Sequence, residues 1–287
     1  MSKIALLIIY NHRYDKNIPA LEKLYQGRFD HLFHVIPFYD GEKENVIPVY
    51  ESSFYFSGYI SQAYSHLKNQ GFTHFFVVAD DMILNPEIDQ SNLFEKMGLR
   101  EDECFLDYLH ILQELDWHWH QHRAMAYSIK QRGVEIQKIL PDKEFAKQQL
   151  AKYGVPDTAI SIKPYLRKWD FLLKYLKNYK RRVPEYPMVG GYADIMLVTA
   201  EAMDKFALYC GAFAATSLFV EIAVPTALAL ATDKLKLSKE LTYQSGALWS
   251  KEDKAFLEKY HFSLAALLAD FPKEKLFLHP IKLSQWR

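Results

Sequence analysis

The stretch Thr73–Pro86, THFFVVADDMILNP, decides how this chain folds. Its first seven residues form a nearly unbroken apolar run, the pattern of a strand covered on both faces in a parallel sheet. The run ends in two carboxylates, Asp80 and Asp81, and Pro86 fixes the exit of the following loop. Side chains at the C-terminal ends of parallel strands face the crevice where ligands bind in open α/β sheets. Two adjacent carboxylates there suit a hard divalent cation, which takes oxygen ligands and bridges to phosphate. The plainer reading is a solvated turn. The apolar approach, which delivers both charges to the sheet rim, favours a site.

Working outward, Lys3–Tyr10 is a second continuous apolar run and His31–Phe38 a third, with Pro37 and Tyr39-Asp40-Gly41 closing it. Between them, Ile18, Leu21 and Leu24 have helical spacing, with Pro19 in the first turn. Phe54–Gln70 reads as a helix closed by Gly71. Alternating strands and helices predict an α/β fold with a mostly parallel central sheet flanked by helices.

The middle of the chain departs from this rhythm. Phe105–His122 and Pro141–Tyr153 have helical character, with a strand expected at Ala124–Ile129. Lys163–Tyr179 predicts an amphipathic helix with Leu166, Trp169, Leu172, Leu173 and Leu176 as its apolar stripe. The basic run Lys180-Arg181-Arg182 follows, and Pro184 and Pro187 end the helical stretch. Met188–Thr199 returns to strand character, Ser217–Ala231 and Lys251–Leu268 to helix, and the tail from Leu276 holds a short strand. With no repeat and no linker, the expectation is one domain: a first half over 1–100, a mainly helical insertion over 101–182, and a second half over 183–287.

Composition narrows the functional classes. Lysine plus arginine and aspartate plus glutamate number 35 each, so no overall field draws the chain to nucleic acid or a membrane. An anionic ligand needs a local site. The opening apolar run is too short for a membrane span and lacks a small-residue cleavage site, so the expected compartment is the cytoplasm. Cys104 and Cys210 read as core thiols rather than a disulfide framework. Aromatic residues make up 15% of the chain, compatible with a sugar ligand and equally with a well-filled core. No P-loop, no Gly-x-Gly-x-x-Gly after the first strand and no Gly-x-Ser-x-Gly elbow is present.

An apolar strand, an aspartate pair, a short apolar stretch and Asn85-Pro86 together resemble the metal-binding motif of GT-A-fold glycosyltransferases. In that family an Asp-x-Asp motif holds a divalent metal against the diphosphate of a nucleotide sugar. The resemblance implies a GT-A-like fold, manganese or magnesium, and a nucleoside-diphosphate sugar as donor to a glycan or other hydroxyl acceptor. Asp81 matches the motif's last aspartate, the usual metal ligand, and Asp80 its middle position; Ala79 stands where the first aspartate belongs. His279, near the C-terminus, matches a histidine that completes the metal shell in several members, and Lys282 a lysine that reaches the diphosphate. Tyr10, Asn11 and Arg13, after the first strand, are expected near base and ribose. In VGGYADIMLVT, Asp194 is a candidate for donor sugar or acceptor. Gly190 and Gly191 before it either admit a ligand to the backbone or mark a sheet bend.

Glu221 is the single charge in the apolar helix SLFVEIAVPTALALA, an expensive place for a carboxylate unless it is paired or working. An acidic residue near the start of a comparable helix serves the family as acceptor ligand or base. The cluster DWHWHQHR (Asp116–Arg123) lacks the paired ligand spacing of a zinc site, and its Trp117 and Trp119 are candidates for lining an acceptor groove. Two other readings stand beside the glycosyltransferase. One is a non-catalytic GT-A-like protein that binds a nucleotide or glycan, which Ala79 favours. The other is a sugar-nucleotide nucleotidyltransferase, which YNHRYDKN disfavours because it is not a Gly-rich basic loop.

Overall fold

The computed structural model describes residues 2–114, 119–130, 133, 135–167 and 169–286. In chain order the strands are β1 (Ile4–Ile9), β2 (His31–Pro37), β3 (Val46–Val49), β4 (His74–Ala79), β5 (Ile83–Leu84), β6 (Cys104–Leu106), β7 (Leu109–His110), β8 (Gly190–Gly191), β9 (Ile195–Thr199), β10 (Leu235–Leu237) and β11 (Phe277–Leu278). The helices are α1 (Ile18–Tyr25), α2 (Ser57–Leu67), α3 (Leu93–Met97), α4 (Trp119–Ala126), α5 (Ile136–Ile139), α6 (Lys143–Ala151), α7 (Trp169–Lys177), α8 (Ala200–Ala215), α9 (Val220–Ala231), α10 (Lys251–Glu258) and α11 (Leu264–Ala269).

Seven strands form a central sheet in the order β10-β6-β9-β4-β1-β2-β3. Neighbours pair in parallel except β9, which runs antiparallel to both β4 and β6. The chain is therefore α/β, with a mostly parallel sheet and helices on its faces. The continuous apolar runs are explained by two cores, one on each side. Along β1, Ala5, Leu7 and Ile9 enter one core, and Ile4, Leu6 and Ile8 the other. Along β4, Phe75 and Val77 oppose Phe76 and Val78 in the same way. A strand covered on both faces has no position left for a polar residue, which is why the period-2 alternation is missing.

Register positions the site. Ile9 lies beside Ala79 in parallel pairing, so the chain leaves β1 and β4 at the same edge. Because β9 is antiparallel, its start lies at that edge, and the Ala79 amide donates to the Asp194 carbonyl at 2.9 Å. The short ladder of β5 with β11 pairs Ile83 with Leu278, which brings the residues after β11 back to those after β4.

The middle of the chain differs from expectation at its start. Residues 104–106 and 109–110 are strands, not part of a Phe105–His122 helix. Cys104, Phe105 and Leu106 are all buried between β9 and β10, and a strand covered on both sides mimics an apolar helix segment. Ala124–Ala126 close α4 rather than open a strand. β7 pairs with β8, so the chain leaves for its excursion and returns through a two-residue ladder. The Lys163–Tyr179 stretch forms a 3-10 turn at Lys163–Arg167 followed by α7, and its face is inverted: Leu166, Trp169, Leu173 and Leu176 are exposed, while Tyr165 and Tyr175 hold it to the body. No helix among the described residues is long and apolar enough to cross a membrane.

Candidate functional site

Asp80 and Asp81 directly follow β4. Asp80 is almost fully buried and is held by the Asn11 backbone amide and, at 3.4 Å, by the Asn17 side-chain amide. Burial, reinforced by the charge of Asp81, pushes its carboxyl up to about 7 against the pull of those hydrogen bonds. Asp81 faces outward more. Its Oδ1 stands 2.8 Å from Nε2 of the buried His279, and its carbonyl accepts from the Ile281 amide at 2.6 Å. The far nitrogen of His279, Nδ1, shares a hydrogen bond with the Tyr192 hydroxyl, and the Tyr192 ring stacks on Phe277. Burial disfavours the His279 imidazolium, but Asp81, Asp194 and Asp80 outweigh it and raise its pKa above the ordinary histidine value.

Asp194 completes the group from the start of β9. Burial pushes its carboxyl up to about 6; His279 opposes this, while Asp81, Glu221 and Asp107 add to it. Three aspartates and one histidine from three chain segments thus meet at one sheet edge. Asp81, Asp194 and His279, expected as site residues, are brought together.

The pair was tested against a divalent cation. Asp81 Oδ1 is buried and has no well-directed hydrogen-bond partner, although His279 Nε2 is close. Two ligands at right angles, each about 2.1 Å from a small cation, stand about 3 Å apart. The spacing fits. Among the described residues no group of three or more His, Cys, Asp or Glu side chains is placed to hold a metal. Magnesium commonly takes one or two protein ligands and completes its shell with phosphate oxygens and water.

Glu221, in the first turn of α9, is paired with His120 of α4, at 2.9 Å. His120 is buried, and its ring lies 5.4 Å from that of His110. Burial, then the neighbouring His120, lowers His110 to about 4 against the pull of Glu221. Arg123, one turn along α4, stacks on Trp119 at 4.2 Å and Phe219 at 4.3 Å. Together with Tyr55, Tyr127 and Thr216, Arg123 and Phe219 line a cleft of about 250 Å³. Trp119 is exposed and does not line this cleft; Asp116, Trp117 and His118 lie outside the described residues.

Other expected residues are placed differently. Tyr10 is fully buried and bonds His34 Nδ1 at 2.8 Å, so its hydroxyl serves the core and not a nucleotide base. Arg13 pairs with Asp40 and reaches Asp15 at 3.5 Å, tying the loop after β1 to the loop after β2. Asn11 contacts Asp80 through its backbone, and Lys282 is exposed three residues beyond His279. Gly190 and Gly191 make room for protein, not ligand. A Cβ on Gly191 would meet the Tyr108 carbonyl at 2.5 Å and Pro225 at 3.0 Å. Cys104 and Cys210 are free and buried.

No family model matches the chain, and no curated protein matches it in sequence.

Sequence reasoning missed Tyr192, one of 19 tyrosines, whose role depends on a ladder that no local pattern announces. It also missed Asp107, buried between the Ser238 and Ser245 hydroxyls. The link from His120 to Glu221 had a signal: the one carboxylate in an apolar helix needs a cationic or hydrogen-bonding partner.

Proposed function

We propose that this chain is a metal-assisted glycosyltransferase of GT-A type, moving a sugar from a nucleoside-diphosphate donor to a hydroxyl acceptor. The observation that carries the reading is the meeting of Asp81 and His279 at 2.8 Å, beside Asp80 and Asp194, at the sheet edge where the parallel strands β1 and β4 end. Asp81 and His279 would hold manganese or magnesium, and imidazole suits manganese better. When bound, the cation supplies neutralisation of the charge that builds on the leaving diphosphate. Tyr192 fixes the imidazole: with Nδ1–H donating to the Tyr192 oxygen, the Nε2 lone pair is free for ligation. Asp80, near neutrality in pKa, contacts the nucleotide, and Lys282 approaches the diphosphate. Glu221 accepts the proton of the attacking hydroxyl, with His120 orienting its carboxylate, while Asp194 positions donor sugar and acceptor.

The test is thermal stabilisation and donor hydrolysis with a panel of nucleoside-diphosphate sugars, with and without manganese. One donor with manganese is expected to raise Tm, and Asp81→Asn is expected to weaken that binding by about a hundredfold. No response to any donor, with or without metal, would sink the proposal.

The second reading, a non-catalytic nucleotide- or glycan-binding protein, is favoured by Ala79 and by the two-ligand site. Binding of donor without hydrolysis or transfer to any acceptor supports it over the first.

A further inference from the structure

We infer that the segment from Ile162 to Val183 seats this protein on an anionic membrane surface. Its inward face is settled. Tyr165 and Tyr175 are buried against each other with ring centroids 4.7 Å apart, the Tyr175 hydroxyl donates to the Ile160 carbonyl at 3.0 Å, and Arg181 donates to the Ala126 carbonyl at 3.1 Å. The opposite face is apolar and uncovered. Ile162, Leu166, Trp169, Leu173, Leu176 and Val183 recur at spacings of three, four and seven residues and are all exposed, Trp169 by 69% and Leu166 by 62%. Such a stripe on a surface helix normally turns inward, and one left outward marks an interaction site.

The charges say which kind. Residues 163–182 contain eight lysines and arginines and one acid, Asp170, in a chain whose net charge is zero. The segment therefore carries +7 and the remainder −7. Lys177 and Lys180 follow Leu173 and Leu176 by four residues, so exposed ammonium groups border the stripe. Lys163, Lys174, Lys177 and Lys180 form no ion pair among the described residues. Leucine and tryptophan on one side with lysine at the border is the composition of a helix lying in the headgroup layer. There the apolar stripe enters the acyl boundary, and the lysine stems extend back to the phosphates. The acidic remainder is repelled by the same surface, which orients the molecule with this face down. That no helix among the described residues is long and apolar enough to cross a membrane is compatible with this face: the chain lies on the bilayer. This inference does not depend on the chemistry proposed for the carboxylate site.

The test is flotation of the full chain with vesicles of phosphatidylcholine alone or mixed with phosphatidylglycerol, at low and high salt. Binding is expected to the anionic vesicles only and to fall with salt, since the attraction acts over a Debye length of about 8 Å at physiological ionic strength. The Leu173→Glu/Leu176→Glu variant, altered only at exposed positions, is expected to keep its melting temperature and lose binding by about tenfold or more. Lys177→Glu/Lys180→Glu is expected to lose about tenfold on anionic vesicles. Brominated lipid should quench tryptophan fluorescence in the parent, and much less in Trp169→Phe. The inference is overturned by any of three results: no flotation with anionic vesicles, equal flotation of the leucine variant, or salt-independent binding to phosphatidylcholine. A concentration-dependent dimer that the leucine variant abolishes, without vesicle binding, also overturns it and makes the face an interface between copies.

Discussion

Two acid–imidazole pairs of nearly equal length lie in this molecule, and their surroundings differ. Asp81 and His279 are 2.8 Å apart, Glu221 and His120 2.9 Å. The first pair sits among further carboxylates, Asp80 and Asp194, and its imidazole is anchored by Tyr192. The second lies beside another imidazole, His110, and next to a cleft lined by Arg123 and Phe219. A third histidine marks the limit of the comparison. His34 is fully buried, and its nearest acid, Glu22, is 3.7 Å away. There burial wins and lowers the imidazole to about 4, whereas at His279 the nearby acids win and raise it. The number and closeness of carboxylates, more than burial, set the sign.

The largest expected effect separates the two pairs. If Glu221 is the base and Asp81 the cation ligand, Glu221→Gln should leave manganese-dependent donor binding unchanged and lower transfer by about 10²–10⁴-fold, read in single-turnover assays. An equal loss of donor binding would merge the two pairs into one site. Next in size is the acid response of His34. Its folded pKa lies below the unfolded value of about 6.5, so its contribution is complete above that pH. It is lost as pH falls toward 4, because there the unfolded chain binds the proton that the folded one excludes. The loss is on the order of 3 kcal/mol across that window, and urea unfolding of parent and His34→Gln should show a shallower acid slope in the variant. Identical slopes would remove His34 from the comparison. The smallest effect concerns the anchor. Tyr192→Phe should weaken manganese binding by about tenfold by releasing Nδ1, with little change in His120 or Glu221. Unchanged affinity would reduce Tyr192 to a packing residue.

How much of this was legible in the sequence depended on the kind of burial involved. β1 and β4 were legible because a strand covered on both faces writes a continuous apolar run. The same rule hid β6: three buried residues are too few to tell strand from helix. Asp81 and Asp80 were legible as the end of a run. Their meeting with His279 rested on a resemblance, since the two-residue ladder between β5 and β11 leaves no pattern of its own. Tyr10 was misplaced because its position one residue after β1 suits either a ligand or the core, and His34 on the neighbouring strand decides between them. In α7 the amphipathic period was legible and its direction was not. Spacing specifies a face but not what lies against it, and here the tyrosines take the inward side.

The ladder between β7 and β8 has a consequence for engineering. Leu109 faces Gly191 and His110 faces Gly190, so residues 111–189 leave and rejoin the body through one narrow neck. They form an excursion that shares its core with α8 and α9, with Leu112, Met125, Leu150 and Met188 in the same apolar cluster as Phe213 and Leu228. It contains both His120, the partner of Glu221, and the basic apolar face of α7, while Asp80, Asp81, Asp194 and His279 all lie outside it. Exchanging this excursion replaces His120 and the exposed face of α7 in one step, requires that shared core to be refitted, and leaves Asp80, Asp81, Asp194 and His279 in place. Gly191 has to be kept in any such graft, because the neck closes on it too tightly for a side chain.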